Sequence, residues 1–128
     1  MLQSDLSLIV VKDGKILTKK KGLGIKPFLE AIEELKERMY GSTVADRILG
    51  KASALLCVYA KISNVYSPQS TKTALAVLIR AGIPGHTDML IEHIKNKTGD
   101  DICPFEKMLL DIDSPEVAYN ILKNAIKI

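Results

Sequence analysis

Apolar and polar residues alternate at the start of the chain in the manner of two short β-strands. Apolar residues dominate Leu6 to Val11, and Ile16 and Thr18 carry the pattern on after an Asp13-Gly14 pair. Asp-Gly is favoured in a two-residue hairpin turn because both central residues of a type I′ turn need positive φ. The pattern therefore predicts a β-hairpin over Leu6 to Lys20.

Helical spacing replaces this alternation after the hairpin. A stripe of apolar residues predicts a surface helix that begins at Lys26-Pro27, where proline suits the first turn, and ends at Gly41. The members of this stripe are Phe28, Ile32, Leu35 and Met39.

A second helix is expected from a capping pattern. Thr43 and Asp46 have the spacing of a capping box, and the residues that follow are apolar on nearly all sides as far as Tyr59. This pattern predicts a central helix that is covered on most sides.

The remaining elements are predicted from their stop and start signals. They are a short strand at Val65-Tyr66, a helix from Ser67-Pro68 to Gly82, a short extended piece that begins at Ile83-Pro84, a short helix capped by Asp88, a helix opened by Cys103-Pro104 and a last helix opened by Ser114-Pro115. A hairpin followed by helices and short strands indicates an α/β layered fold.

Composition fits a single domain over residues 1–128. The length is that of one ordinary domain, and 47% apolar residues are too many for a disordered chain. The net charge of +3 permits an anionic ligand but does not favour nucleic-acid binding, which needs a stronger clustered basic excess.

The chain has neither an apolar run long enough to cross a membrane nor a signal-peptide pattern at its N-terminus. We therefore expect a cytoplasmic protein.

No metal or other cofactor is predicted. Zinc sites draw about four ligands from Cys, His, Asp or Glu in closely spaced pairs. In this sequence Cys57, His86, His93 and Cys103 are scattered singly.

Cys103 is the first candidate for chemistry. It precedes Pro104 at a predicted helix start, where the helix dipole and unpaired backbone N–H groups favour a thiolate. Glu106 either caps the helix or acts as a general base. The alternative is that these residues only start a helix.

Lys51 is the second candidate, in a constellation with Asp46. It follows Gly50, where a missing side chain permits close approach of a ligand or a backbone. A lysine in an apolar helix either extends outward to water or faces a cleft and meets an anion. Lys20, Lys21 and the Gly22-Leu-Gly24 loop are either a phosphate cradle or a solvated charge run.

Two segments carry a resemblance that extends over essentially the whole chain. Gly50-Lys51-Ala52-x-Ala54 and Cys103-Pro104-x-Glu106 are its most specific parts. With them the sequence resembles a small prokaryotic family of unknown function, domain of unknown function 1893. The resemblance implies a cytidine-deaminase-like fold, a three-layer α/β/α sandwich whose mixed five-stranded sheet begins with the N-terminal hairpin.

The resemblance also implies a lost zinc centre. Zinc deaminases carry His-x-Glu at the start of one helix and Pro-Cys-x-x-Cys at the start of the next. Gly50-Lys51-Ala52 and Ser67-Pro68-Gln69-Ser70-Thr71 stand at those places and supply no ligand set.

In that fold the two helix starts converge on one pocket. This would gather Asp46, Gly50, Lys51, Ser67, Gln69 and Ser70, with Cys103 and Glu106 joining them.

Three functions follow as hypotheses. In the first, a metal-free pocket binds or acts on an anionic small molecule such as a nucleotide or phosphorylated metabolite. As an enzyme it would use a Cys103 thiolate, Glu106 or Asp46 for proton transfer, and Lys51 to hold substrate charge. The second is a non-catalytic scaffold for binding or oligomerisation, and homo-oligomers are plausible because relatives of this fold often assemble. RNA binding ranks third, since few aromatic residues are available for stacking.

Overall fold

The N-terminal hairpin is present as predicted. We describe residues 6–22, 24–96 and 98–126 of a computed structural model of the chain. Strands β1 (Leu6–Lys12) and β2 (Lys15–Lys21) pair in antiparallel fashion. The turn places Asp13 at φ 52° and Gly14 at φ 75°, the left-handed conformation for which Asp-Gly is suited.

The hairpin is one side of a six-stranded mixed sheet. The other strands are β3 (Thr43–Asp46), β4 (Ile48–Leu49), β5 (Asn64–Thr71) and β6 (Gly85–Ile91). Strand β1 is antiparallel to β3, whereas β3, β4 and β6 all run parallel to β5. Both β3 and β4 pair with β5 at the same offset of 21 residues, so they act as one interrupted strand.

Five α-helices are found among the described residues. They are α1 (Lys26–Leu35), continued by a 3₁₀ turn over Lys36–Met39, then α2 (Lys51–Tyr59), α3 (Lys72–Arg80), α4 (Pro104–Met108) and α5 (Pro115–Ile126). Helices α1, α3, α4 and α5 lie where the sequence patterns predict a helix. Pro27, Pro104 and Pro115 all stand in first turns, where no intrahelical N–H bond is lost.

The prediction of a helix start at Thr43 is wrong. Residues 43–46 form β3, and α2 begins only at Lys51, with Gly50 as its N-cap. Val44 is buried between β1 and β5, where it pairs with Val10 and Val65. This packing decides the conformation, because a short apolar run suits a buried strand as well as a helix.

Two further boundaries differ from the prediction. The strand predicted at Val65-Tyr66 continues through Pro68 to Thr71, whose side chain caps α3 by accepting a hydrogen bond from Ala74 N at 3.1 Å. The short helix predicted after Asp88 is instead β6, which lies parallel to β5. In both places pairing with a neighbouring strand outweighs local propensity.

Helix residues pack on one face of the sheet. The main core joins Leu8, Val10, Val44 and Val65 to residues of all five helices. Helix α2 is buried from Lys51 to Cys57, and α5 lies against it with Tyr119 stacked on Tyr59 at 4.2 Å. The opposite face has a smaller cluster of strand residues, namely Leu6, Ile9, Val11, Ala45 and Tyr66.

The α/β class and the mixed sheet with its N-terminal hairpin are confirmed, and the sheet has six strands where the resemblance implies five. Among the described residues, no helix has both the length and the apolar character that crossing a membrane requires.

Truncation inside α2 should be costly. Leu55 is 1% exposed within the main core, so Leu55→Ala should lower the free energy of unfolding by about 2–5 kcal/mol. Val117→Ala, at a 45% exposed helical position, should change it by less than about 0.5 kcal/mol. Urea denaturation measures both values, and equal losses would contradict the assignment of α2 to the core.

Candidate functional site

One cavity of about 120 Å³ lies where the interrupted strand, the start of α2 and the start of α4 meet. It is more enclosed than the second space described below, and its lining includes both polar and apolar residues. Its lining residues are Ser7, Gly22, Gly24, Ile25, Asp46, Arg47, Ile48, Ala52, Ser53, Ile94, Cys103, Phe105 and Glu106.

Asp46 reaches this cavity because the strand is interrupted beside it. The shared register of β3 and β4 sets Asp46 and Arg47 opposite Ser67 and Pro68, and proline has no N–H to donate to a ladder. Arg47 forms a bend, and its backbone N–H donates to Ser7 O of β1 at 3.0 Å. The carboxyl end of a parallel strand is a common place for a ligand site in α/β folds.

The Asp46 carboxyl is protonated more readily than an ordinary aspartate. Burial raises its pKa from 3.8 to about 7, although hydrogen bonds from the Ser53 side chain and the Arg47 backbone act in the opposite direction. Burial, followed by the nearby Asp46 charge, raises the pKa of the Cys57 thiol. Asp46 therefore titrates near neutral pH, whereas Cys57 is an uncharged core residue.

Glu106 caps the start of α2 and not the start of its own helix. Its Oε1 accepts from Lys51 N at 2.8 Å, and its Oε2 accepts from Ala52 N at 2.9 Å. A carboxylate at this end of a helix satisfies unpaired N–H groups and meets the positive end of the dipole. The capping role expected for Glu106 thus exists, with a different helix as the recipient.

Gly50 makes this contact possible. A Cβ built at residue 50 would lie 2.3 Å from Glu106 Oε1 and 2.5 Å from Ile94 Cδ1, both closer than real Cβ contacts. The close approach that the sequence suggested at Gly50 is made by a side chain of the same protein.

Lys51 is not among the residues that line the cavity. Its ammonium donates to Leu109 O at 2.7 Å and to Leu110 O at 3.2 Å, and lies 3.3 Å from Asp113 Oδ1. These carbonyls close the end of α4, where a cation is favoured. Lys51 therefore neither extends to water nor faces the cavity, and the expectation that Lys51 and Cys103 share one hollow is corrected.

Cys103 is the N-cap residue of α4 and is half-buried at the cavity wall. Its backbone N–H donates to Ile94 O at 2.7 Å, which ties the start of α4 to the segment after β6. Cys103 lines the same cavity as Asp46, so a cysteine and a carboxyl of near-neutral pKa share one space.

The three candidates from β5 do not line this cavity. Ser67 is buried and donates to Gln69 O at 2.7 Å, and Ser70 is buried with no hydrogen-bond partner for its hydroxyl among the described residues. Gln69 lies in a neighbouring open groove of about 620 Å³. Ile48 and Ile94 line both spaces and separate them.

The structure thus brings together Asp46, Cys103 and Glu106, with Gly50 directly behind Glu106.

Sequence reasoning missed Ser53, Arg47 and Phe105. Ser53 stands in the apolar run after Gly50, and this polar interruption was the available signal. Of the basic loop, the two glycines line the cavity, whereas Lys20 is paired with Glu34 at 2.6 Å.

A zinc ion of the deaminase kind does not fit these residues. Over the described ranges, no three His, Cys, Asp or Glu side chains are grouped closely enough to hold a metal ion.

Comparison with known proteins gives a family and a fold. Residues 1–126 match the protein-family model TM1506, "Domain of unknown function (DUF1893)". The crystal structure of a DUF1893 family protein from Thermotoga maritima is 28% identical and superposes with a TM-score of 0.82 over 94% of this chain and 80% of that one. None of the curated proteins compared with the chain matches it.

Two deaminase-fold structures are more distant. A dCMP deaminase from the cyanophage S-TIM5 is 18% identical, with a TM-score of 0.52 over 64% of this chain and 79% of that one. RibD of Acinetobacter baumannii is 16% identical, with a TM-score of 0.56 over 65% of this chain and 28% of that one. At these identities the likeness shows the fold alone.

Gly50 and Glu106 should be energetically coupled. Glu106→Ala removes the α2 cap and should lower the free energy of unfolding by about 1–3 kcal/mol. Gly50→Ala displaces the same carboxylate and should cost a similar amount, about 1–3 kcal/mol. The double variant should lose less than the two costs added together, by at least about 0.5 kcal/mol.

Urea denaturation of the single and double variants measures this coupling. Glu37→Ala, at an exposed position, is the matched control and should add to Gly50→Ala without coupling. Simple additivity of Gly50→Ala and Glu106→Ala would contradict the capping role.

Asp46 should make stability fall as the pH rises toward neutral. Its folded-state pKa of about 7 lies above its unfolded value of 3.8, so the folded state holds the proton more tightly across that interval. The stabilisation that Asp46 contributes is complete below the pKa of the unfolded state, 3.8. It is lost as the pH rises through the pKa of the folded state, about 7.

The pH dependence is measured as the difference in unfolding free energy between the wild type and Asp46→Asn. This difference should decline as the pH rises from about 4 to about 7. Carbon NMR of the Asp46 carboxyl should give a titration midpoint near 7. A midpoint near 4 would show that the carboxyl is solvated like an ordinary aspartate.

Proposed function

The chain belongs to the DUF1893 family, and we propose that it binds, or acts on, a nucleotide-like small molecule in the cavity between Asp46 and Cys103, without a metal. The observation that carries the proposal is that Asp46, Ser53, Cys103 and Glu106 line one cavity of about 120 Å³. Convergent polar groups and a titratable side chain of perturbed pKa in an apolar cleft are typical of ligand sites.

The size of the cavity supports a small ring as the bound part. A volume of about 120 Å³ equals about four water molecules at ~30 Å³ each, so a compact heterocycle fills it and a larger group stays outside. Ile48, Ile94 and Phe105 supply apolar walls for the ring faces.

The charges in the cavity support a ring that carries N–H donors. Asp46 and Glu106 present carboxyl oxygens, and each Glu106 oxygen keeps a lone pair beyond its bond to α2. An anion placed directly between these two groups would be repelled. The anionic part of the ligand is therefore assigned to the opposite side of the cavity.

Gly22 and Gly24, in the loop before α1, also line the cavity, as does Arg47, whose guanidinium donates to Leu6 O. Helix α1 begins just after this loop, with no side-chain cap and no acidic residue in its first turn, so its end favours a negative charge. A phosphorylated nucleoside combines a donor-bearing ring with an anionic group. The name of one structure of similar fold also supports a nucleotide ligand, because that protein is a dCMP deaminase.

Chemistry at this site would use two residues. Cys103 supplies a thiol for nucleophilic attack, and Asp46, with a pKa of about 7, donates or accepts a proton near neutral pH. Glu106 and Lys51 are assigned positioning roles, because they hold α4, and with it Cys103, against α2.

A non-catalytic scaffold is the second candidate. It is favoured by the observation that Lys51 and Glu106, two of the three residues expected to be catalytic, are bound to backbone groups of this chain. The two candidates differ in whether the cavity binds a ligand at all.

Thermal denaturation with added ligands separates these two functions. A pyrimidine nucleoside monophosphate should raise the melting temperature more than its nucleoside or inorganic phosphate does. Only the monophosphate carries both the donor-bearing ring and the anionic group. At 100 times its Kd a ligand adds about 2.7 kcal/mol. Asp46→Asn and Cys103→Ser should reduce the shift, while the exposed Asp111→Asn should not.

Labelling of Cys103 by a thiol reagent gives a second measurement. The same nucleotide should slow labelling, because the thiol lies at the cavity wall. If no nucleotide shifts the melting curve or protects the thiol, the scaffold function is favoured.

A further inference from the structure

The two edges of the sheet differ in how they are protected. Strand β2 forms one edge and carries four lysines, which is a common protection against pairing with another chain. Strand β6 forms the other edge, pairs only with β5 among the described residues, and contains no lysine. An open edge without such protection is a template for strand addition.

Apolar side chains are exposed along the β6 edge. Met89 and Leu90 of β6 are 56% and 50% exposed, and Ile79 of the adjoining helix α3 is 76% exposed. Gly85 faces α3, where its added Cβ would meet Leu78, so Met89 shares that face by strand alternation. His86 and Asp88 lie on the opposite face, where both contact Tyr66.

We propose that β6 pairs with β6 of a second copy of this chain, antiparallel about a two-fold axis at Thr87. This register sets His86 opposite Asp88 of the partner subunit, and the same pair is repeated by symmetry. On the helix face it sets Met89 opposite Gly85 of the partner subunit, next to Leu78 of the partner subunit, which packs against that glycine.

Charge favours this register over the register shifted by one residue. An axis at Asp88 would place two carboxylates directly opposite each other, which is destabilising. The axis at Thr87 replaces that repulsion with two reciprocal His–Asp contacts and brings the exposed Ile79 side chains of both copies to the same side of the joined sheet. The inference is independent of the proposed function, since it uses no cavity residue.

Sedimentation of the full chain, with matched charge substitutions, tests the interface. The wild type should be a dimer, and Met89→Lys should raise the dimer dissociation constant at least about tenfold, which is 1.4 kcal/mol. Ile16→Lys, at a 54% exposed position on β2, should leave it unchanged. A monomeric wild type, or a dimer that Met89→Lys does not weaken, would overturn the proposal.

Charge exchange tests the register. His86→Glu should weaken the dimer by facing Asp88 of the partner subunit as well as Asp88 of its own chain, whose Oδ1 lies 3.5 Å from His86 Nε2. Adding Asp88→Lys should restore the dimer. If the double variant dimerises no better than His86→Glu, the register is refuted.

Disulfide trapping tests the two-fold axis directly. Opposed residues of an antiparallel pair have Cα atoms about 4.5–5.5 Å apart, within the range for a disulfide. In a Cys103→Ser background, Thr87→Cys should form a covalent dimer under mild oxidation much faster than Ile16→Cys does. Equal rates of disulfide formation by the two variants, with unchanged melting curves, would refute a two-fold axis at Thr87.

Discussion

The contact between Glu106 and the start of α2 organises the site. Two backbone N–H groups of α2 are bound by one carboxylate from a segment more than fifty residues away, and this is possible only because Gly50 lacks a Cβ. In return, the Lys51 ammonium binds the carbonyls at the end of α4. Each helix thus satisfies the unpaired terminal groups of the other, which fixes the wall of the cavity formed by α4.

This exchange explains why the two most specific sequence segments occur together. Gly50-Lys51-Ala52 and Cys103-Pro104-x-Glu106 are distant in the chain and are in contact in the fold. The start of α2 is also where the resemblance to deaminases places the first metal signature. Here that helix start holds a carboxylate of the protein itself, and this Glu106 lines the cavity together with Asp46, Ser53 and Cys103.

The break between β3 and β4 has a comparable role. Pairing with β5 is interrupted opposite Pro68, which has no N–H to donate, and the strand bends at Arg47, beside Asp46. A carboxyl in this partly desolvated position keeps its proton to near neutral pH. The site therefore depends on an irregularity in the sheet, whereas the outer edge at β6 is regular and open.

The sequence by itself determined the hairpin, four of the five helices and the α/β class, because Asp-Gly, the helix-starting prolines and the apolar stripes act locally. It also marked Asp46, Cys103 and Glu106 as polar groups worth attention. Only the tertiary structure decided that residues 43–46 and 85–91 are strands, since their conformation depends on pairing with β5.

The tertiary structure likewise decided that Lys51 points to α4 and Asp46 to the cavity. A lysine in an apolar helix and a carboxylate at a helix start have several possible partners in sequence. The partner is chosen by burial and by unpaired backbone groups, and these exist only once distant segments are packed together.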